Sequence, residues 1–211
     1  RYQLSVDYTR AGSIEMITAD SEGKDFLFPS NQTALELYEN QNGQPVRSQI
    51  VLNTPIVLYT RSAVAKALLE AGIAQMDGEV CYVDMEKLTA EIEQGTSWEE
   101  LGLPQLYGSV TVGTTDPTQS NSGNMFAGLI ANTLSGGVAD QNNVHTILPR
   151  LQDIFQKLGY MESSSSDLFD QFLKTGMGAK PLIAGYESQL LEFAAANPDT
   201  WEQVKEDIVM M

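Results

Sequence analysis

Three short stretches, Ser21-Glu22-Gly23-Lys24, Ser122-Gly123-Asn124 and Lys174-Thr175-Gly176, fall in the chain order of a penicillin-binding serine enzyme, whose chemistry is acyl transfer to an activated serine. Their surroundings argue against it. The first must open a helix to aim its serine at its lysine, yet Gly23 and the following Phe26-Leu27-Phe28 predict a turn and a strand. The third must lie on a strand, whereas Lys174 ends a helical pattern that Gly176 stops. His145 is the sole histidine and lacks the second His or Cys of a transition-metal site, so it reads as a loop or helix-start residue. Asp140-Gln141-Asn142 begins like a calcium loop, but His145 stands where the loop needs Gly and Leu151 where it needs Glu. Glu99 and Glu100 are neighbours that point apart on a helix and suit a solvated surface better than acid–base work. Asn31-Gln32-Thr33 fits a glycosylation acceptor, a pattern too short to weigh. What the chain does repeat is a hydroxyl or amide at a strand-to-helix junction: Gly12-Ser13, Ser30-Asn31, Ser120 to Gly123, and Glu187-Ser188. Free N–H groups at a helix start carry partial positive charge and attract anions without Lys or Arg. At any one junction, capping of its own helix is the plain account. Four junctions together shift the balance moderately toward a binding site.

The elements that must position these junctions follow from period and punctuation. Leu4, Val6 and Tyr8 alternate as a short strand, and Ser13 is the expected N-cap of the helix that follows. Residues 26–28 read as a second strand and 33–39 as a helix. Residues 49–60 are the most strand-like, with Asn53-Thr54-Pro55 interrupting them where one domain hands over to another. Helices are expected over 62–71 and 84–94, a turn of helix over 96–101, and a small-residue strand over 109–113. Met125, Phe126, Leu129, Ile130 and Leu134 mark one helix face, and further helices cover 149–158, 166–174 and 190–196. Residues 181–186 return to strand, 187–189 turn, and 201–211 read as a helix start running into an apolar end. Strands alternating with helices predict an α/β fold with mainly parallel sheets, whose ligand crevice lies beyond the carboxyl ends of the strands.

The length of 211 residues allows one to two domains with a real core. Against 28 Asp+Glu stand 12 Lys+Arg, a net charge of −16, and no basic stripe exists to displace counterions, which excludes a nucleic-acid partner. Cys81 has no partner for an internal disulfide and is expected as a small buried apolar side chain. No apolar run reaches the ~18–20 residues of a membrane span, and Arg1 in place of a start methionine leaves any export signal outside the chain. There is no dinucleotide fingerprint and no phosphate loop, so no cofactor is expected.

Five stretches carry a wider pattern: Tyr8-Thr9-Arg10-Ala11-Gly12-Ser13, Phe28-Pro29-Ser30, Asn53-Thr54-Pro55-Ile56-Val57, residues 115–125 around Asp116-Pro117-Thr118 and Ser120-Asn121-Ser122-Gly123, and Gly185-Tyr186-Glu187-Ser188-Gln189. In this order they resemble extracellular solute-binding proteins of bacterial ABC importers, the two-lobed type II periplasmic-binding fold that includes the molybdate and sulfate binders. The resemblance implies a partial first lobe over 1–54, a second lobe over 55–200 and a return crossover over 201–211. The chain is shorter than the family at both ends, which leaves the first lobe incomplete. It implies a small polar or anionic solute held between the lobes by Gly12, Ser13, Ser30, Asn31, Thr54, Ser120, Asn121, Ser122 and Tyr186. Glu187 repels a fully ionised oxyanion and suits a ligand hydroxyl or amine. An ABC permease is the implied partner, and the implied location is outside the cytoplasm, with a lipid anchor. Alternatives are an enzyme on the same scaffold, a transferase or hydrolase using Glu187 with Tyr186, and a ligand-sensing ectodomain.

Overall fold

Ile56-Val57-Leu58-Tyr59-Thr60, β-branched or aromatic in four positions of five, form the strand on which the molecule is assembled (β1, Ile56–Arg61). The structure is a computed structural model and describes residues 3, 5–9 and 11–211. It is mixed α/β, 45% helix and 13% strand. Before β1 come α1 (Ser13–Thr18) and α2 (Gln32–Asn42). After it follow α3 (Ser62–Glu70), β2 (Ala74–Asp77), β3 (Val80–Val83), α4 (Met85–Gln94), α5 (Asn121–Ser135), α6 (Val144–Leu158) and α7 (Ser165–Thr175). The chain ends with β4 (Leu182–Tyr186), α8 (Glu187–Ala196), α9 (Pro198–Val204) and β5 (Ile208–Met210).

The main sheet has the order β4-β1-β5, and both pairings are antiparallel, with Tyr59 opposite Ile183 on one side and Met210 on the other. This corrects the expectation of mainly parallel sheets. Among the described residues parallel pairing is confined to isolated bridges, Gly113 with Ile183 and Thr115 with Glu162. The alternation rule assumes that each helix carries the chain back over the sheet to the next strand. Here α4, α5 and α6 pack on one another, and the partners of β1 arrive only after residue 181.

Alternation along the strands builds two cores. Leu58, Leu182 and Ala184 face a large cluster with Leu68, Leu88, Trp98, Phe126 and Ile154, while Tyr59 and Ile183 face a smaller one with Phe169, Phe172 and Ile208. The sheet is therefore covered on both faces. Arg61, only 7% exposed, ties the smaller core together. Its Nη2 donates to the Phe172 and Leu173 carbonyls at 2.8 and 3.3 Å, its Nη1 pairs with Asp207 at 3.3 Å, and the guanidinium lies 4.6 Å from the Phe172 ring centroid.

Several expected elements take another form. Leu4 of the first expected strand and Arg10 of the first resembling stretch lie outside the described residues; residues 5–9 are not strand. Neither 26–28 nor 49–55 is strand, and among the described residues the backbone of 25–30 and 44–53 pairs with no other backbone. Apolar side chains alone do not make a strand without a partner edge to bond to. Residues 109–113 contribute bridges only. Gly12, not Ser13, is the N-cap of α1. Residues 187–189 are the first turn of α8, and α6 begins at Val144, more than a turn before Pro149. A β2–β3 hairpin stands where the sequence reading placed no element. Cys81 is buried in it, and burial pushes its thiol up.

Candidate functional site

Glycine brings the pieces of the candidate site together. A Cβ on Gly123 would lie 2.1 Å from the Thr115 carbonyl oxygen, so only glycine lets the start of α5 rest on the 115–116 peptide. Ser122, 4% exposed, then meets the Thr115 hydroxyl at 2.7 Å and the hydroxyl of Ser120, the N-cap of α5, at 3.1 Å. Asp116 accepts from the Thr118 hydroxyl at 2.7 Å, the Thr118 N–H at 2.8 Å and Gln119 Nε2 at 2.8 Å, and these bonds hold its carboxyl below the usual range. The loop is thus set by its own hydrogen bonds. On the other side, a Cβ on Gly12 would lie 3.2 Å from the Gln119 carbonyl, so the start of α1 approaches the same loop. Ser13 is buried, and its hydroxyl accepts the Ser30 N–H at 2.9 Å.

Three residues from three elements join these pieces. Asn31, the N-cap of α2, accepts the Ala34 N–H at 2.7 Å through Oδ1 and donates from Nδ2 to Asn121 Oδ1. Asn121, the first residue of α5, donates to the Tyr186 hydroxyl at 2.8 Å. Tyr186 ends β4; burial pushes its phenol up, and the Asn121 hydrogen bond partly opposes this.

Thr54 and Glu187 act in the backbone next to Tyr186. The Thr54 hydroxyl accepts the Ser188 N–H at 3.0 Å, and the Pro55 carbonyl accepts the Glu187 N–H at 3.1 Å, so residues 54–55 cap α8 from a distance in sequence. The Tyr59 hydroxyl donates to the Tyr186 carbonyl at 2.6 Å and to that of Glu187 at 3.2 Å. Burial raises the Tyr59 phenol far above its ordinary value, and the Glu187 charge adds to this. Gln189, absent from the sequence-derived set, closes the cap: its Oε1 accepts the Tyr186 N–H at 2.8 Å, and its Nε2 donates to the Ser165 carbonyl at 2.9 Å. Its signal was its place three residues after the helix boundary, where a capping box needs Glu or Gln. Thr115 was also missed as a site residue, although it precedes the hydroxyl-rich helix start.

A cavity of about 1220 Å³ opens beside this network. Ser30, Asn31, Thr54 and Tyr186 of the sequence-derived set line it; Gly12, Ser13, Ser120, Asn121, Ser122 and Glu187 stand outside that lining. Lys24 and Arg47 also line it, against the single carboxylate of Asp25, so the local charge is positive in a chain of net −16. Apolar side chains line it too, among them Phe26, Phe28 and Ile50. Among the described residues the polar side chains that line it are hydroxyls, amides and two cations, with the one carboxylate. Among the described residues no group of three or more His, Cys, Asp or Glu could hold a metal ion, and no helix is long and apolar enough to cross a membrane. The chain matches no family model, and no curated protein or solved structure matches it.

Proposed function

We propose that the protein is a solute-binding component of an ABC importer, working outside the cytoplasm, with the two-lobed type II arrangement. In this reading residues 1–54 and 55–200 supply the facing sides of a cleft, and a small polar or anionic solute is captured between them and passed to a membrane permease. The observation that carries the reading is the bridge Asn31–Asn121–Tyr186. It joins the start of α2, the start of α5 and the end of β4, and its Asn31 and Tyr186 line a cavity that Lys24 and Arg47 also line. Neutral donors plus two cations suit an anion or a strongly polar group, and each charge-assisted hydrogen bond contributes roughly 1.5–3 kcal/mol. Four or five such bonds support micromolar binding after the cost of association.

Thermal unfolding in the presence of separate oxyanions, small carboxylates, amino acids and sugars tests this. A ligand at ~100 times its dissociation constant stabilises by about 2.7 kcal/mol, a shift of several degrees. Flat melting temperatures across the whole panel sink the proposal. Chemical conversion of a stabilising ligand shifts the reading to the enzyme.

A further inference from the structure

We propose that Tyr186 is a one-way hydrogen-bond donor to the solute, its polarity imposed by a relay of amides that begins at a backbone N–H of α2. The captured molecule must then present an acceptor atom at that point. The inference rests on solute capture as proposed above and deepens it.

A backbone N–H can only donate, so the 2.7 Å contact from Ala34 fixes Asn31 with its Oδ1 turned inward to the helix. The Asn31 amide nitrogen then faces Asn121 and donates to its Oδ1. This fixes the second amide in turn, with its nitrogen 2.8 Å from the Tyr186 hydroxyl. Neither amide can turn over without setting N–H against N–H or oxygen against oxygen. The Tyr186 oxygen therefore accepts, and its own proton points away from Asn121. Among the described residues that proton has no acceptor, and Tyr186 lines the cavity. A phenol that accepts a hydrogen bond is polarised toward donating another.

The ligand chemistry follows. A carbonyl, carboxylate or other oxyanion oxygen satisfies the phenol proton, whereas an ammonium group there sets donor against donor. Lys24 and Arg47 along the same cavity favour the same class. Tyr186 is the specificity-determining residue, and Asn31 and Asn121 are positioning residues: Asn31 reaches Asn121 across 90 positions of sequence, and Asn121 reaches Tyr186 across 65.

The relay is read first without ligand, from the ¹³Cζ resonance of Tyr186 followed through a pH titration and assigned with Tyr186→Phe. Asn31→Asp keeps the acceptor for the Ala34 N–H but offers Asn121 no donor. The Asn121 amide then turns over, and Tyr186 donates to it instead of to the cavity. The resonance is expected to move and to titrate at higher pH, also in about 0.5 M salt, where the added charge is screened. Asn121→Ser, which removes the donor to the phenol, moves the same resonance and serves if the first variant does not fold. An unchanged Tyr186 in the folded variants overturns the relay. Calorimetry with sodium acetate and sodium sulfate as acceptor-only probes, and methylammonium chloride as a donor-only probe, reads the specificity. The acceptor probes are expected to bind and to lose about tenfold or more in Tyr186→Phe. A preference for methylammonium overturns the donor assignment. If none of the three binds while Asn31→Asp still moves Tyr186, capture of such solutes fails and the relay stands.

Discussion

Gly123 and Gly128 lie five residues apart on α5 and have opposite surroundings. A methyl group at Gly128 meets nothing within 4 Å, while at Gly123 it would sit inside the van der Waals shell of the Thr115 and Asp116 carbonyl groups. Gly128→Ala is expected to raise stability by up to about 1 kcal/mol through helix propensity. Gly123→Ala is expected to lower it by about 3 kcal/mol through overpacking, and to displace the Ser122–Thr115 contact. Urea unfolding of the pair checks both signs. A second residue-scale expectation concerns pH. Arg150 donates two hydrogen bonds of 2.8 Å to the Glu93 carboxylate and holds it below the usual range. A depressed carboxylate stabilises above its unfolded value of about 4.3 and loses that contribution as pH falls through its folded value. Glu93→Gln should therefore cost under about 1 kcal/mol at pH 7, since the pair is partly exposed. The gap between variant and parent should close in acid; a gap constant with pH assigns it to packing.

At the scale of elements, α8 is the helix whose start depends on residues far away. Thr54→Val removes the acceptor of the Ser188 N–H and is expected to cost about 1 kcal/mol, the usual worth of a side-chain cap. Hydrogen exchange should then rise in the first turn of α8 and not in α4, whose cap Asp84 is its own neighbour. Local helix stops were legible in the sequence. The helices over 62–71, 84–94 and 166–174 all form within a residue or so of their expected bounds, because their apolar period and their stops at Gly72, Gly95 and Gly176 are local. Pairing was not legible. Phe26-Leu27-Phe28 has strand composition but no partner edge, and the partners of β1 lie beyond the reach of any window-based pattern. The β2–β3 hairpin was legible and overlooked: Gly78-Glu79 is its two-residue loop, and Gly78, φ 60, stands at the first central position, where a type II′ turn takes glycine. Of the candidate site, Asn31, Asn121 and Tyr186 were named from sequence and meet in space. That they form one directed chain depends on which amide atom faces which, and only coordinates carry that.

The whole molecule has an uneven distribution of apolar cover. The two cores flank the main sheet, whereas Phe26, Phe28, Ile50, Val51 and Leu52 are each at least 60% exposed along one side of the cavity. This exposed apolar surface lies on the cavity for which solute capture is proposed. The main sheet has its own consequence. Tyr59 reaches Tyr186 across 127 positions, and Ser62 reaches Asp207 across 145. Such pairings close very large loops, which slows folding far more than it alters the final stability. The β2–β3 hairpin pairs only neighbours in sequence, so it can form before those long-range pairings close. β1 must wait, edges bare, until β4 and β5 have been made. The main sheet therefore depends on residues 182–210, and without them the central strand has both edges open to other chains.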